Sequence, residues 1–254
     1  MPARDRRFQA VLLDLFDTLV RWDPSLLPEI EVAGRRIHST IPYLVPALER
    51  AFGRDFRMEE FLAGYRRVMG EIETERAVSG IEITCHERFR RTLDGLHLAG
   101  DSRADLAEEL TRLHMAAVRA VTAAPPENVT VVSRLAGSYR LGLLSNFDDA
   151  RTGREILADT GVADHFEVVV ISAEAAIRKP HPGIFRRALD GFHLEPHEVL
   201  FVGDTPRDDV HGAHAAGIPV AWLSAGKGPF PSDIAAPDFT LDRLRDLPAL
   251  LGLA

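Results

Sequence analysis

Cysteine is almost missing from this chain. Cys85 stands alone among 254 residues, so no disulfide within the chain is possible. A reducing compartment is the expectation. No apolar run approaches the ~18 residues of a membrane-spanning helix. The apolar stretch after Met1-Pro2-Ala3-Arg4-Asp5-Arg6-Arg7 is too short for a signal-peptide core. The expected location is the cytoplasm, with no membrane partner. Net positive charge is missing too: the formal charge is −8, which disfavours nonspecific attraction to nucleic acid. Lysine is scarcer still. Of 30 Lys and Arg residues only Lys179 and Lys227 are lysines. A lysine kept in so arginine-rich a chain supplies a compact, mobile point charge that arginine does not mimic.

What is present is ordinary for a globular protein, with 46% hydrophobic and 27% charged residues. The length suffices for one large or two modest domains. Residues 8–14 carry a continuous apolar run ending in Asp14, as expected of a parallel strand buried on both faces. Residues 24–120 hold no convincing strand run. Apolar residues at three- and four-residue spacing there predict helices over Pro42–Phe52, Glu59–Val78, Thr84–Leu96 and Asp101–Val121, the last with Asp101 or Ser102 as its N-cap. After Pro125-Pro126 the texture alternates. Strands are predicted at Leu141–Leu144, Val168–Ile171, Val199–Val202, Val220–Leu223 and Phe239–Leu241. Helices are predicted over 127–138, 151–160, 182–191, 208–216 and 242–251. Such alternation argues for an α/β fold with a doubly wound, Rossmann-like parallel sheet. The helical block interrupts it as an insertion. Residues 1–20 and 122–254 form the expected core domain, and 21–121 the inserted one.

Ligands of such sheets sit beyond the carboxyl ends of the strands. Four of those ends carry polar residues: Asp14, Ser145-Asn146, the loop after Ile171 with Lys179, and Asp204 with Asp208-Asp209. Each alone has a plain structural reading as a cap, a turn former or a solvated charge. Together on one sheet edge they make chemical sense. A carboxylate can attack phosphorus and divide one difficult step into two. Acidic groups on two strand ends suit Mg²⁺, a lysine neutralises further charge, and Ser or Thr hydroxyls hold phosphoryl oxygens.

The set resembles the haloacid dehalogenase-like hydrolases. Asp14-Leu15-Phe16-Asp17-Thr18-Leu19 is similar to that family's first motif and Leu143-Leu144-Ser145-Asn146-Phe147-Asp148 to its second. Ile177-Arg178-Lys179-Pro180-His181-Pro182-Gly183-Ile184-Phe185 is similar to the third. Phe201-Val202-Gly203-Asp204-Thr205-Pro206-Arg207-Asp208-Asp209, followed by Gly212-Ala213, is similar to the fourth. The insertion is similar to the family's all-helical C1 cap, which closes over the active site. The resemblance implies Asp14 as nucleophile and metal ligand, with Thr18 and Ser145 binding the transferred group and Asn146 helping to position substrate. It implies Lys179 as charge stabiliser, Asp204 as a Mg²⁺ ligand, the Phe16 backbone carbonyl as another, and Asp209 as support for the metal or for Lys179. Asp208 is the alternative to Asp209.

One departure stands out. The family's phosphatases usually carry a second Asp two residues after the nucleophile, which protonates the leaving oxygen and later activates water. Here that position is Phe16, and Asp17 follows one residue later. Three functions are therefore weighed. The first is a Mg²⁺-dependent phosphatase on small, anionic, phosphorylated metabolites that lacks the usual acid. The second is a 2-haloacid dehalogenase, whose halide leaves without a proton. The third is a weakly catalytic or regulatory protein with the same fold. A monomer or homodimer is expected.

Overall fold

The computed structural model describes residues 8–32, 34–96 and 102–253. The N-cap expected at Asp101 lies outside them. The chain divides into two compact units, one formed by residues 1–21 and 123–254, the other by residues 22–122.

The first unit begins with β1 (Ala10–Leu13), and the chain leaves it through β2 (Arg21–Trp22). The second unit starts with a hairpin, β3 (Glu29–Val32) and β4 (Arg35–His38), followed by α1 (Ile41–Phe52), α2 (Met58–Ser79), α3 (Cys85–Asp94) and α4 (Ser102–Ala120). The hairpin corrects the expectation that residues 24–120 are free of strands. Ile30, Val32 and Ile37 alternate with charged residues, and Gly34 turns the chain at φ 74°. That alternation with a glycine turn is a hairpin signal, but it is short and its burial is slight. The helices follow ordinary end rules. Thr84 caps α3 by accepting from the Glu87 N–H at 3.2 Å. Gly80 ends α2 in the left-handed conformation at φ 66°. α3 packs on α2 and α4, and α1 on α4, around fully buried Leu44, Leu48, Phe61, Ile72 and Phe89.

The chain returns through β5 (Thr122–Ala123), which pairs with β2. It then runs α5 (Pro126–Ala136), β6 (Arg140–Ser145), α6 (Ala150–Asp159), β7 (Phe166–Ile171), α7 (Ser172–Ala175), α8 (Pro182–Phe192) and β8 (Val199–Gly203). A turn at Pro206–His211, α9 (Gly212–Ala215), β9 (Val220–Leu223), β10 (Phe239–Leu241) and α10 (Leu247–Leu250) complete it. Six strands form one parallel sheet in the order β10-β9-β8-β1-β6-β7. Alternate residues of β1 serve opposite cores. Val11 and Leu13 join Val131, Val132, Leu135, Ile156 and Leu157 from α5 and α6. Ala10 and Leu12 join Ile184, Phe185, Ala188 and Phe192 from α8. This period of two on a sheet covered on both faces is what makes the strands read as unbroken apolar runs. From β1 the chain winds first toward β7 and then back past β1 toward β10. β1 is therefore the switch point, and Asp14 stands at its carboxyl end.

Candidate active site

The switch point brings the strand-end residues together. Lys179 is 2% exposed. Its Nζ donates to Asp14 Oδ1 at 2.6 Å, to Asp209 Oδ1 at 2.7 Å and to the Leu144 carbonyl at 3.1 Å. All three ammonium protons are thus spent, as a buried charge requires. Burial works against the Lys179 ammonium, but Asp14 and Asp209 outweigh it and hold its pKa above the ordinary lysine value. Burial is also the main influence on Asp14, whose pKa is pushed up to about 7. Lys179 opposes that rise, while Asp209 and Asp204 add to it. The lysine is shared between two carboxylates, so Asp14 keeps surplus negative charge. Its second oxygen remains for an electrophile or a cation.

Asp209 is held by backbone. Its Oδ2 accepts from the Asp204 N–H at 2.9 Å and the Thr205 N–H at 2.8 Å. This return contact shapes the chain around it. The helix expected over 208–216 instead opens with a π-helical turn at Pro206–His211, in which the Val210 N–H reaches back five residues to Thr205 at 3.3 Å. Such widened turns cluster at functional sites. Gly203 permits the approach: a Cβ there would lie 2.5 Å from the Asp209 carboxyl carbon. Asp208 faces elsewhere. Its Oδ2 accepts from Asn146 Nδ2 at 3.1 Å and lies 3.9 Å from Arg178. Of the two adjacent acids, Asp209 is the one on Lys179.

Asp204 is 7% exposed, and burial raises its carboxyl pKa above the ordinary range, with Lys227 opposing. Trp222 Nε1 donates to its backbone carbonyl at 2.9 Å. The side chain is ion-paired with Lys227. Oxygens of Asp14, Asp204 and Asp209 all lie within 4.8 Å of one another. Hard carboxylate oxygens so grouped fit a divalent cation such as Mg²⁺. Asp14 and Asp204 are the better donors: Asp209 is held by buried Lys179 and two backbone N–H groups, whereas Asp204 meets the partly exposed side chain of Lys227 and the Thr205 hydroxyl at 3.3 Å.

Two hydroxyls complete the picture. Thr18 Oγ1 and Ser145 Oγ are buried and have no hydrogen-bond partner. A buried hydroxyl without a partner costs stability, so native structures keep few of them. Both belong to residues expected to bind the transferred group. Asn146, expected to help position substrate, is bound to the Lys179 backbone. Its Nδ2 donates to the Lys179 carbonyl at 2.9 Å and its Oδ1 accepts from the Lys179 N–H at 2.7 Å. The amide thus clamps the backbone that carries the lysine. Phe16 is half-buried and packs on Phe147, with ring centroids 4.9 Å apart. Asp17 is exposed in a left-handed turn at φ 56°. Two residues escaped sequence reasoning. Ser172 Oγ accepts from the Phe147 N–H at 2.9 Å and so fixes the loop after β6. Lys227 could be noticed as a rare lysine, but nothing local tied it to Asp204.

The family model for haloacid dehalogenase-like hydrolases matches residues 8–217. A phosphoserine phosphatase of Thermus thermophilus is 43% identical over 94 residues, 37% of this chain and 37% of that protein. A pyrimidine 5'-nucleotidase of Escherichia coli is 34% identical over 128 residues, 50% of this chain and 56% of that protein. The chain thus spans about half, or less, of the length of these curated relatives. A 2-haloacid dehalogenase from Pseudomonas syringae superposes with a TM-score of 0.70 at 23% identity, over 96% of this chain and 98% of that one. A phosphatase of the same family from Thermococcus onnurineus gives 0.63 at 22% identity, over 96% and 98%. At such identities the likeness concerns the fold. Among the described residues no helix is long and apolar enough to cross a membrane.

Proposed function

The chain belongs to the haloacid dehalogenase-like hydrolases, and on that footing we propose that it is a Mg²⁺-dependent phosphatase acting through Asp14 on small anionic phosphate esters or acyl phosphates. The observation that carries this reading is Lys179 bridging Asp14 and Asp209 beside the unpartnered hydroxyl of Ser145. Asp14 attacks phosphorus, forming a bond to its carboxylate oxygen while the bond to the leaving oxygen breaks. Lys179 neutralises charge as the two anions meet, and Ser145 and Thr18 donate to phosphoryl oxygens. Water then attacks the phosphorus, releases phosphate and restores Asp14. Asp14, Asp204 and the Phe16 carbonyl would hold Mg²⁺, which would supply the remaining positive charge. Asp209 and Asn146 keep Lys179 in place.

Phe16 gives this chemistry its particular character. With no acid at that position the leaving oxygen departs unprotonated, so aryl and acyl phosphates are the favoured substrates. Loss of general acid–base help costs ~10²–10⁴ in rate, against enzymatic accelerations of ~10⁶–10¹⁷. The named phosphatases among the relatives support a phosphate ester as substrate class. Phe16 also favours a second reading, 2-haloacid dehalogenation, since halide needs no proton. Parallel screening of phosphate and halide release, in Mg²⁺ and in EDTA, separates the two. Phosphate release that needs Mg²⁺ is expected. Halide release from 2-chloropropionate in EDTA, with no phosphate release, would overturn the phosphatase reading.

A further inference from the structure

The chain has two lysines, and both end on the same carboxylate cluster. Lys179 takes Asp14 and Asp209, and Lys227 takes Asp204. Lys227 comes from the loop after β9. Its ammonium sits on the Asp204 carboxylate and 3.3 Å from the Asp204 carbonyl oxygen. The two ends of this pair are unlike. The Asp204 side chain is 10% exposed and fixed by the strand it ends, whereas that of Lys227 is 37% exposed. The loop turns through left-handed backbone at Ala225 (φ 41°), Gly226 (φ 75°) and Gly228 (φ 82°). The Lys227 N–H donates to the Ser224 carbonyl at 2.6 Å. A flexible four-carbon stem from such a loop lets the ammonium leave without disturbing the sheet.

We propose that Lys227 is a tethered cation that competes with the divalent ion for Asp204, so that the Lys227–Asp204 pair and metal loading are alternative states of one site. The inference rests on the metal-dependent reading above. Formal charge shows its consequence. Asp14, Asp204 and Asp209 carry three negative charges, and Lys179 returns one. With Lys227 seated the cluster stands at −1, and with Lys227 withdrawn at −2, a stronger draw for a divalent cation. A seated Lys227 neutralises the most accessible of these carboxylates in the metal-free enzyme and raises the Mg²⁺ concentration needed for loading. Lysine suits this duty and arginine does not, because a compact ammonium matches a cation site while a planar fork is shaped for bidentate pairing. In a chain otherwise built with arginine, that accounts for a lysine at 227.

Calorimetric titration of Mg²⁺ into the metal-free full chain tests the competition. Lys227→Gln is expected to bind Mg²⁺ about fivefold more tightly than the parent, and Lys227→Arg, which keeps the charge, less tightly than Lys227→Gln. Equal affinity, or tighter binding by the parent, would overturn the competition while leaving the metal site standing. Binding by none of the proteins would remove the metal site and this proposal with it. A second measurement needs no variant. Amine acylation read by peptide mass spectrometry should label Lys227 several times faster in saturating Mg²⁺ than in EDTA, while Lys179 stays protected in both. A Lys227 rate that does not change on Mg²⁺ binding would overturn the exclusion.

Discussion

Arg88 in the inserted unit and Lys179 in the sheet unit are both buried cations, at 7% and 2% exposure, yet their surroundings differ in kind. Arg88 Nη2 donates to Cys85 Sγ at 3.0 Å and to His114 Nε2 at 3.3 Å. Since Nε2 accepts, Nδ1 carries the proton and donates to Thr40 Oγ1 at 2.7 Å. Burial first, and Arg88 second, lower the His114 pKa to about 3, so the ring is neutral. A line of hydrogen bonds thus runs from Arg88 through His114 to Thr40, all of them to neutral partners. Lys179 is surrounded by anions instead, in a cluster with more negative than positive charge. In the same unit two buried hydroxyls, those of Thr18 and Ser145, lack a partner. The contrast separates structure from function. Neutral partners around a buried cation stabilise a unit, while a surplus of negative charge and unmet hydroxyls are tolerated where a ligand completes them.

The sharpest break in this comparison is Asp14→Asn. Hydrolysis is expected to fall on the order of 10⁴-fold or more in kcat, because the attacking oxygen is lost. Steady-state kinetics reads this, and a rate unchanged within tenfold would end the nucleophile assignment. Next comes Phe16→Asp. Restoring an acid should raise kcat/KM, which reports the first step, on alkyl phosphates, which need protonation, by about 10²-fold, with little gain in kcat/KM on aryl phosphates. Equal gains on both classes would mean that position 16 does not act through proton transfer.

A matched pair of hydroxyls tests the contrast itself. Ser145→Ala should lower kcat/KM by about 10²-fold and leave thermal stability nearly unchanged, since Ser145 Oγ has no partner to lose. Thr40→Ala should cost about 1–3 kcal/mol of stability by leaving the buried His114 N–H unpaired. Denaturant unfolding of both variants would contradict the account if Ser145→Ala were the more destabilised. The smallest effect concerns pH. His114 titrates near ~6.5 when unfolded and near about 3 when folded. Below pH ~6.5 the unfolded chain takes up a proton that the folded one refuses. His114 therefore costs nothing above that pH, and stability declines as pH falls towards about 3. His114→Gln should flatten this acid limb, and an identical limb in both proteins would dismiss the role.

Much of the fold was legible because its signals are local. Asp14 ends an apolar run, and the strands at 141–144, 168–171, 199–202, 220–223 and 239–241 each lie within the observed ones. Sheet order places their ends on one edge, so the carboxylates, Ser145 and Lys179 could be named before their distances were known. What escaped depends on contacts between distant residues or on weak local pattern. The Glu29–His38 hairpin alternates correctly but is too short and exposed to stand out against the helices around it. The π-helical turn at Pro206–His211 follows from the Asp209 carboxylate binding back to two N–H groups, which no periodicity encodes. Lys227 lies 23 residues from Asp204 in the chain, across a strand and a loop, and only the fold joins them. The hold of the Asn146 amide on the Lys179 backbone, 33 residues away, likewise comes from the fold and not from local pattern.

On the proposed mechanism Asp14 takes up the phosphoryl group, and Phe16 leaves the second step without a base. If so, the first step outruns the second on an activated substrate, and the covalent state accumulates. Rapid acid quench of the Mg²⁺-loaded protein with p-nitrophenyl phosphate, followed by peptide mass spectrometry, measures this directly. The account predicts a burst of nitrophenol and a phosphoryl group on the peptide containing Asp14, both reduced in Phe16→Asp. Steady nitrophenol release with Asp14 unmodified, or a phosphoryl group on any other residue, would contradict it.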